Sequence, residues 1–350
     1  MQCDSEHVDL HLRSISKQMT LSDLVFSDLF VAENADACWF KATPDSLNAQ
    51  PVPVECADEL IELRRRLAIQ SGGSAFRIDW PNSNGVRLRV ERITTAEAQV
   101  VYVCRRFRLK PGPLASLGVP AGVADKLLAQ DLLEGLVVFL GKAGSGKTTT
   151  AASFISERLT KFGGVCWTIE NPIELPLQGK HGLGWCYQTE ASNDDQIGPA
   201  IRHMLRATPN IILIGEMRDG LAIREAIAAA TSGHLVVATF HAADLVSGIA
   251  RLSRLAGDDK AASAISDALR VAIHLSLYNA EPNNPVAPTA MTMPETKGTG
   301  TPPRILSVEP LWISGLNESG LRSMLRDGEY HLLKSEVERQ RRGFLMGKLP

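Results

Sequence analysis

The run Gly141-Lys142-Ala143-Gly144-Ser145-Gly146-Lys147-Thr148 fits the spacing G-x-x-x-x-G-K-[ST] at every fixed position. The chemistry of that spacing is phosphate binding. Gly144 and Gly146 let the backbone curl so that successive N–H groups point inward at anionic oxygens. A helix opening near Thr148 adds the positive end of its dipole. Lys147 is placed to reach β- and γ-phosphates, and the Thr148 hydroxyl to ligate Mg2+. Gly141 through Thr149 are therefore the expected nucleotide contacts, with ATP and Mg2+ as the ligands. A chance glycine-rich turn is the plain alternative. An apolar strand candidate ends at Leu140 and a helical pattern opens at Thr148, which is the context the motif requires.

Hydrolysis would need more: a carboxylate for the metal, a group to polarise water, and positive charge for the transition state. The apolar run Ile211–Ile214 ends in Gly215-Glu216, and Val165–Ile169 ends in Glu170-Asn171-Pro172-Ile173-Glu174. Strand C-terminal ends are where ligand crevices of open α/β sheets lie. A solvated glutamate is the ordinary reading of either alone; two beside a phosphate loop favour function. His234 and His241 flank the run Leu235–Phe240. A histidine at each end of such a strand reads as a nucleotide sensor or coupling pair rather than as core packing.

The elements that must carry these residues are legible as short apolar runs. Leu136–Leu140, Val165–Ile169, Ile211–Ile214 and Leu235–Phe240 are continuous rather than alternating, as parallel strands covered on both faces are. Helical patterns lie between them at Thr148–Lys161, Ile197–Ala207 and Leu221–Ala230, so an α/β sheet with right-handed crossovers is expected. The first third mixes signals: a helix at Asp58–Ala68, then alternating strands at Ala75–Trp80, Val86–Arg92 and Gln99–Cys104. Lys110-Pro-Gly-Pro113 punctuates the chain. The expected organisation is an N-terminal domain over 1–109, a linker over 110–117 and a second domain over 118–350. Within the latter, Ala280–Pro303 reads as a Pro/Asn/Thr-rich loop, Ile305–Ile313 as a strand, and the remainder as a helical tail.

Composition bounds the alternatives. With 350 residues, 44% of them hydrophobic and 22% charged, the chain can bury more than one core. Lys+Arg 37 against Asp+Glu 39 leaves a net charge of -2, so no nucleic-acid partner is expected. No apolar run approaches the roughly 18 residues of a membrane span, and the N-terminus lacks a signal-peptide layout; a cytoplasmic location follows as the expectation. The six cysteines are scattered with no C-x-x-C pair, which reads as reduced, buried thiols rather than a zinc site.

The phosphate loop, Thr168-Ile-Glu-Asn-Pro-Ile-Glu174, Ile211-Ile-Leu-Ile-Gly-Glu-Met-Arg-Asp219 and Ser232-Gly-His-Leu-Val-Val-Ala-Thr-Phe-His241 occur in one order. That order resembles the secretion ATPase superfamily, the motors of type II secretion, type IV pili and type IV secretion. The segments are similar to its Walker A, Asp box, atypical Walker B and His box. Arg202 and Arg206 in Ile201–Pro209 fall at the family's arginine positions, and Gly320–Asp327 resembles a motif of its pilus-retraction branch. The resemblance implies a RecA-like P-loop core, a smaller α+β N-terminal domain of PAS-like type, and a helical C-terminal tail. It implies that Glu170 activates water, that Glu216 acts at Mg2+, that His234 and His241 are the His-box pair, and that Arg89 and Arg105 reach phosphates. It also implies a homo-hexameric ring hydrolysing ATP, held peripherally at the inner membrane by a pilus or secretion platform protein, retraction-like or of conjugation type. Asn171 stands where the family has Asp. That departure favours, as the alternative, a nucleotide-binding regulatory or scaffold member with low turnover.

Overall fold

The computed structural model describes residues 19–21, 23–42, 46–70, 74–80, 86–106, 111–257, 259–279 and 304–346. It divides into two compact units, Met1–Phe107 and Arg108–Pro350.

The first unit is one antiparallel sheet with a helix on one face. Its elements are β1 (Asp28–Val31), β2 (Trp39–Lys41), β3 (Gln50–Pro51), α1 (Ala57–Ile69), β4 (Ala75–Trp80), β5 (Val86–Thr94) and β6 (Val100–Arg106), in sheet order β3-β2-β1-β6-β5-β4. Helix α1 buries Leu60, Leu63 and Leu67, one face at helical spacing, in a core shared with Leu29, Val86, Leu88, Val90 and Cys104. Strand β5 alternates strictly: Val86, Leu88 and Val90 are buried, while Arg87 is exposed and Arg89 half-buried on the other face. Cross-strand register then lines up Arg77, Arg89, Arg105 and Asp28. Strands β1 to β3 have 4, 3 and 2 residues, too short for alternation to announce them in the sequence.

The second unit contains α2 (Ala121–Leu127), β7 (Gly135–Gly141), α3 (Lys147–Phe162), β8 (Gly164–Glu170), β9 (Gly179–His181), β10 (Gly184–Glu190), α4 (Ile197–Met204), β11 (Ile211–Ile214) and α5 (Gly220–Thr231). It continues through β12 (Leu235–His241), α6 (Leu245–Ala256), α7 (Asp259–Ala268), β13 (Leu269–Asn279), β14 (Arg304–Trp312), α8 (Glu318–Arg326) and α9 (Leu333–Leu345). The sheet order is β14-β13-β7-β12-β11-β8-β10-β9. Strands β13 through β10 in that order run parallel, and antiparallel β14 and β9 close the two edges. Every residue of β7 and β11 is buried, because α2 and α3 cover one face and α4 to α8 the other.

The continuous apolar runs are thus parallel strands, while α2, α6, α7 and the strands β1 to β3, β9 and β10 add to the expected elements and several expected boundaries shift. The helix expected over Ile197–Ala207 stays α-helical only to Met204 and then tightens into a 3-10 turn. Pro209 disfavours helical backbone at the preceding residue, and Thr208 stands at φ 48. The stretch expected as a linker contains a 3-10 turn, Leu114–Leu117, whose Leu114 is buried in the core with α2 and α3. The loop expected at Ala280–Pro303 lies outside the described residues. Cys38, Cys56, Cys104, Cys166 and Cys186 are free and buried. Among the described residues, no helix is long and apolar enough to cross a membrane.

Candidate active site

The phosphate loop joins β7 to α3, and three of its glycines have left-handed backbone: Gly141 at φ 151, Gly144 at φ 75 and Gly146 at φ 92. At Gly141 a Cβ would collide with the Leu275 carbonyl and the Ser145 hydroxyl, so only glycine allows β13 to approach the loop this closely. At Gly144, by contrast, a Cβ would find no heavy atom within 4 Å, so its positive φ rather than crowding is what favours glycine. Gly146 caps α3 without any side-chain hydrogen bond, which leaves the first N–H groups of a 16-residue helix for an external acceptor. The Ser145 hydroxyl is buried with no partner. Lys142, Ala143 and Gly144 are exposed, and Thr148 and Thr149 half-buried. These donors, with one lysine and one threonine hydroxyl, fit a polyphosphate and its divalent cation.

Lys147 is only 8% exposed and donates from Nζ to the Lys142 carbonyl at 2.8 Å. Burial pulls its ammonium below the ordinary lysine range, and the Glu216 and Glu174 carboxylates partly oppose that. Glu174 follows β8 and Glu216 follows β11, at the C-terminal edge of the parallel sheet from which the loop leaves β7.

Glu170, the last residue of β8, is 3% exposed. Its Oε1 accepts from the Thr168 hydroxyl at 2.7 Å and from Gln188 Nε2 at 2.9 Å. Burial raises the carboxyl above its ordinary value, while those two donors and the Glu174 backbone N–H pull it back. The close fit depends on Gly215, which follows β11: a Cβ there would lie 3.0 Å from Glu170 Cγ and 3.2 Å from its Cα. Glu216 comes next and is held by Arg218, whose Nε and Nη2 reach Glu216 Oε2 at 2.7 and 2.6 Å.

His241 closes β12 opposite Gly141 and is exposed at the loop end of the sheet. His234 precedes the same strand, so the two rings do not meet: seven residues at about 3.3 Å each put roughly 20 Å between them. His234 stands at the far edge, where its Nδ1 lies 3.3 Å from the Ala229 carbonyl and its own carbonyl accepts from Gly135 N–H. Within one chain, then, the structure places His241 beside the loop and His234 at the opposite edge of the sheet. Arg89 and Arg105, in the first unit, are Cα partners across β5 and β6. Arg89 pairs with Glu91 at 3.1 Å, and Arg105 with buried Asp28 at 2.7 Å. Arg202 pairs with Glu225 at 2.7 Å, and Arg206 is exposed.

Gln188 touches Glu170, Arg218 touches Glu216, and Asp194 touches Arg218, contacts that residue type and spacing alone do not announce. Arg218 sits inside the Gly-Glu-Met-Arg-Asp run and could have been read from it. Asp194 lies in an acidic, polar stretch with no motif, where only the fold brings it near.

The family model for Type II/IV secretion system protein matches residues 71–289. The chain is similar to the type II secretion system protein HxcR of Pseudomonas aeruginosa, 34% identical over 197 residues, 55% of this chain and 40% of HxcR. It is also similar to the type IV pilus retraction ATPase PilT of Pseudomonas aeruginosa, 41% identical over 124 residues, 35% of each chain. It thus spans less than two thirds of the length of these relatives. Among solved structures, the pilus retraction motor PilT with bound ADP aligns over 91% of this chain and 87% of that one, with a TM-score of 0.67 at 24% identity. The Legionella pneumophila ATPase DotB aligns over 93% and 84%, with a TM-score of 0.62 at 19% identity. At those identities the likeness is one of α/β fold.

Proposed function

The chain belongs to the Type II/IV secretion system protein family, and from that premise we propose that it is an ATP-hydrolysing motor subunit. In this reading the second unit is a RecA-like core and the first a PAS-like domain, joined through 110–117. Gly141–Thr149 cradle the ATP phosphates with backbone N–H groups, and Lys147 bridges the β- and γ-phosphates. Thr148 and Glu216 would hold Mg2+, which supplies charge neutralisation across the transferring phosphoryl group. Glu170 receives a proton from, or orients, the attacking water; a carboxyl raised by burial is a better base than an exposed one. Arg89 and Arg105 offset charge developing on the phosphate, and His241 reports on the nucleotide from the neighbouring strand.

By family likeness the subunits form a hexameric ring. The ring would drive a type IV pilus in retraction, or a related secretion or conjugation machine, from the cytoplasmic side of an inner-membrane platform protein. The observation that carries the reading is the gathering of chemistry at one edge of a parallel sheet: the loop bearing Lys147 leaves the end of β7, buried Glu170 ends β8, and Glu216 follows β11.

The test is Mg2+-dependent ATP hydrolysis by the full chain beside Glu170→Gln. The variant is expected to bind ATP with unchanged affinity and to lose turnover by about 10²-fold or more, the usual share of general base catalysis. Wild-type activity no higher than that of the variant would leave a nucleotide-binding scaffold with low turnover, the reading Asn171 suggests.

A further inference from the structure

Asn171 follows Glu170 directly, in the segment that leaves β8. Its Nδ2 donates to Asp194 Oδ1 at 2.8 Å. Asp194 opens the 3-10 turn Asp194–Gln196 that leads into α4, and its other oxygen, Oδ2, accepts from Arg218 Nη1 at 3.1 Å. Arg218 turns its remaining nitrogens on Glu216 Oε2. We propose that Asp194 and Arg218 are positioning residues for Glu216, and that Asn171 is the residue type that lets this bridge form. The proposal rests on the motor reading above, because it assigns the bridge to the carboxylate placed there at the metal.

The valences close. Each oxygen of Asp194 has one donor, and Arg218 spends all three of its outward nitrogens on two carboxylates, the planar fork that a lysine could not reproduce. Both Arg218 contacts to Glu216 fall on one oxygen, Oε2. The bridge ties the segment after β8, the turn before α4 and the segment after β11 into one unit at the sheet edge. Its members are partly exposed, with side-chain exposures of 53% for Arg218, 33% for Asp194 and 26% for Glu216. Pairs this wet contribute about 0–1 kcal/mol each to stability, so their value lies in fixing one carboxylate orientation. A carboxylate at position 171 would face Asp194 Oδ1 at the distance the amide now occupies, setting like charges against each other. The neighbouring charges make no room for it: Glu170 and Glu174 lie on the same segment and Glu190 ends β10, with Arg218 already engaged.

The experiment is a swap. Asn171→Asp is expected to lower kcat about tenfold with KM for ATP changed less than twofold. Adding Asp194→Asn to it reverses the amide and the carboxylate: the new amide donates to position 171 and its oxygen accepts from Arg218. That double variant is expected to return kcat to within about twofold of wild type, a rescue that general damage to folding would not give. Thermal unfolding midpoints, which need no turnover, are expected to fall in Asn171→Asp and recover in the double variant. An Asn171→Asp protein as active and as stable as wild type overturns the proposal, and so does a double variant no better than the single one. A wild-type protein without Mg2+-dependent ATPase would instead remove the motor reading, and the bridge would then be judged on the unfolding midpoints alone.

Discussion

Gln188 gives its side-chain amide to Glu170 Oε1 at 2.9 Å while its own Oε1 receives the N–H groups of Leu177 and Gln178 at 2.7 and 2.8 Å. One residue on β10 thereby orients the buried carboxylate at the tip of β8 and pins the loop that follows it. The same Nε2 also reaches the Leu175 carbonyl at 2.9 Å.

Replacing Gln188 by Glu removes its donor while leaving an acceptor, because a carboxylate can still accept from Leu177 and Gln178. It removes a hydrogen bond to the ionised form of Glu170 and adds a negative charge, and both push that carboxyl further up. The acidic limb of the kcat–pH profile is therefore expected to move to higher pH, with kcat at neutral pH lower by about 10- to 100-fold. ATP affinity, set at the phosphate loop, should hold. A profile superimposable on wild type would remove Gln188 from the mechanism.

Gly215→Ala is a steric test of the same contact. The added methyl would stand 3.0 Å from Glu170 Cγ and 3.2 Å from its Cα and Cβ, so the β8 backbone or the Glu170 side chain must move. A misplacement on the order of 1 Å at a general base costs about 10²-fold in rate. Turnover should fall by that order with nucleotide binding intact, read from steady-state kinetics beside equilibrium ATP binding.

Much of this was legible because parallel strands covered on both faces advertise themselves. Leu136–Leu140 and Ile211–Ile214 are unbroken apolar runs, and β7 and β11 bury every residue. The phosphate loop was legible because its glycines answer backbone demands that no other residue meets, as Gly141 shows. What stayed hidden was lateral. Nothing local in Gly179–His181 or Gly184–Glu190 says that β9 and β10 extend the sheet beyond β8 and bring Gln188 to Glu170. Helices α6 and α7 carry no chemical motif, although Leu245, Ile249, Leu252 and Ala256 recur at helical spacing in the first of them. Symmetry about one strand does not bring His234 and His241 together in one chain, because a strand of that length separates what flanks it.

That separation gives a sharp comparison. His241 lies opposite Gly141 at the loop end of β12, whereas His234 lies at the other edge near the Ala229 carbonyl. His241→Ala should lower kcat by about tenfold or more, in the range of a polar group acting at the transition state. His234→Ala should change it by less than about twofold. Equal losses in the two variants would mean that the far edge also serves the reaction.

Burying Glu170 has a cost that can be measured without any substrate. Its carboxyl is raised in the folded protein above the ordinary 4.5, so the folded state holds its proton more tightly than the unfolded chain does. Ionised Glu170 therefore destabilises the fold at pH values above the raised folded value, and the penalty fades as pH falls, vanishing below the unfolded value. Glu170→Gln keeps an oxygen to accept from Thr168 and Gln188 and carries no charge to desolvate. The variant should unfold at a higher temperature than wild type near pH 8, and the gap should close as the pH is lowered through the unfolded carboxylate range. Thermal unfolding followed by circular dichroism across that range checks it. A gap that stayed constant with pH would show that the stabilisation came from packing, and one of opposite sign that the Glu170 carboxylate is better solvated than its 3% exposure implies.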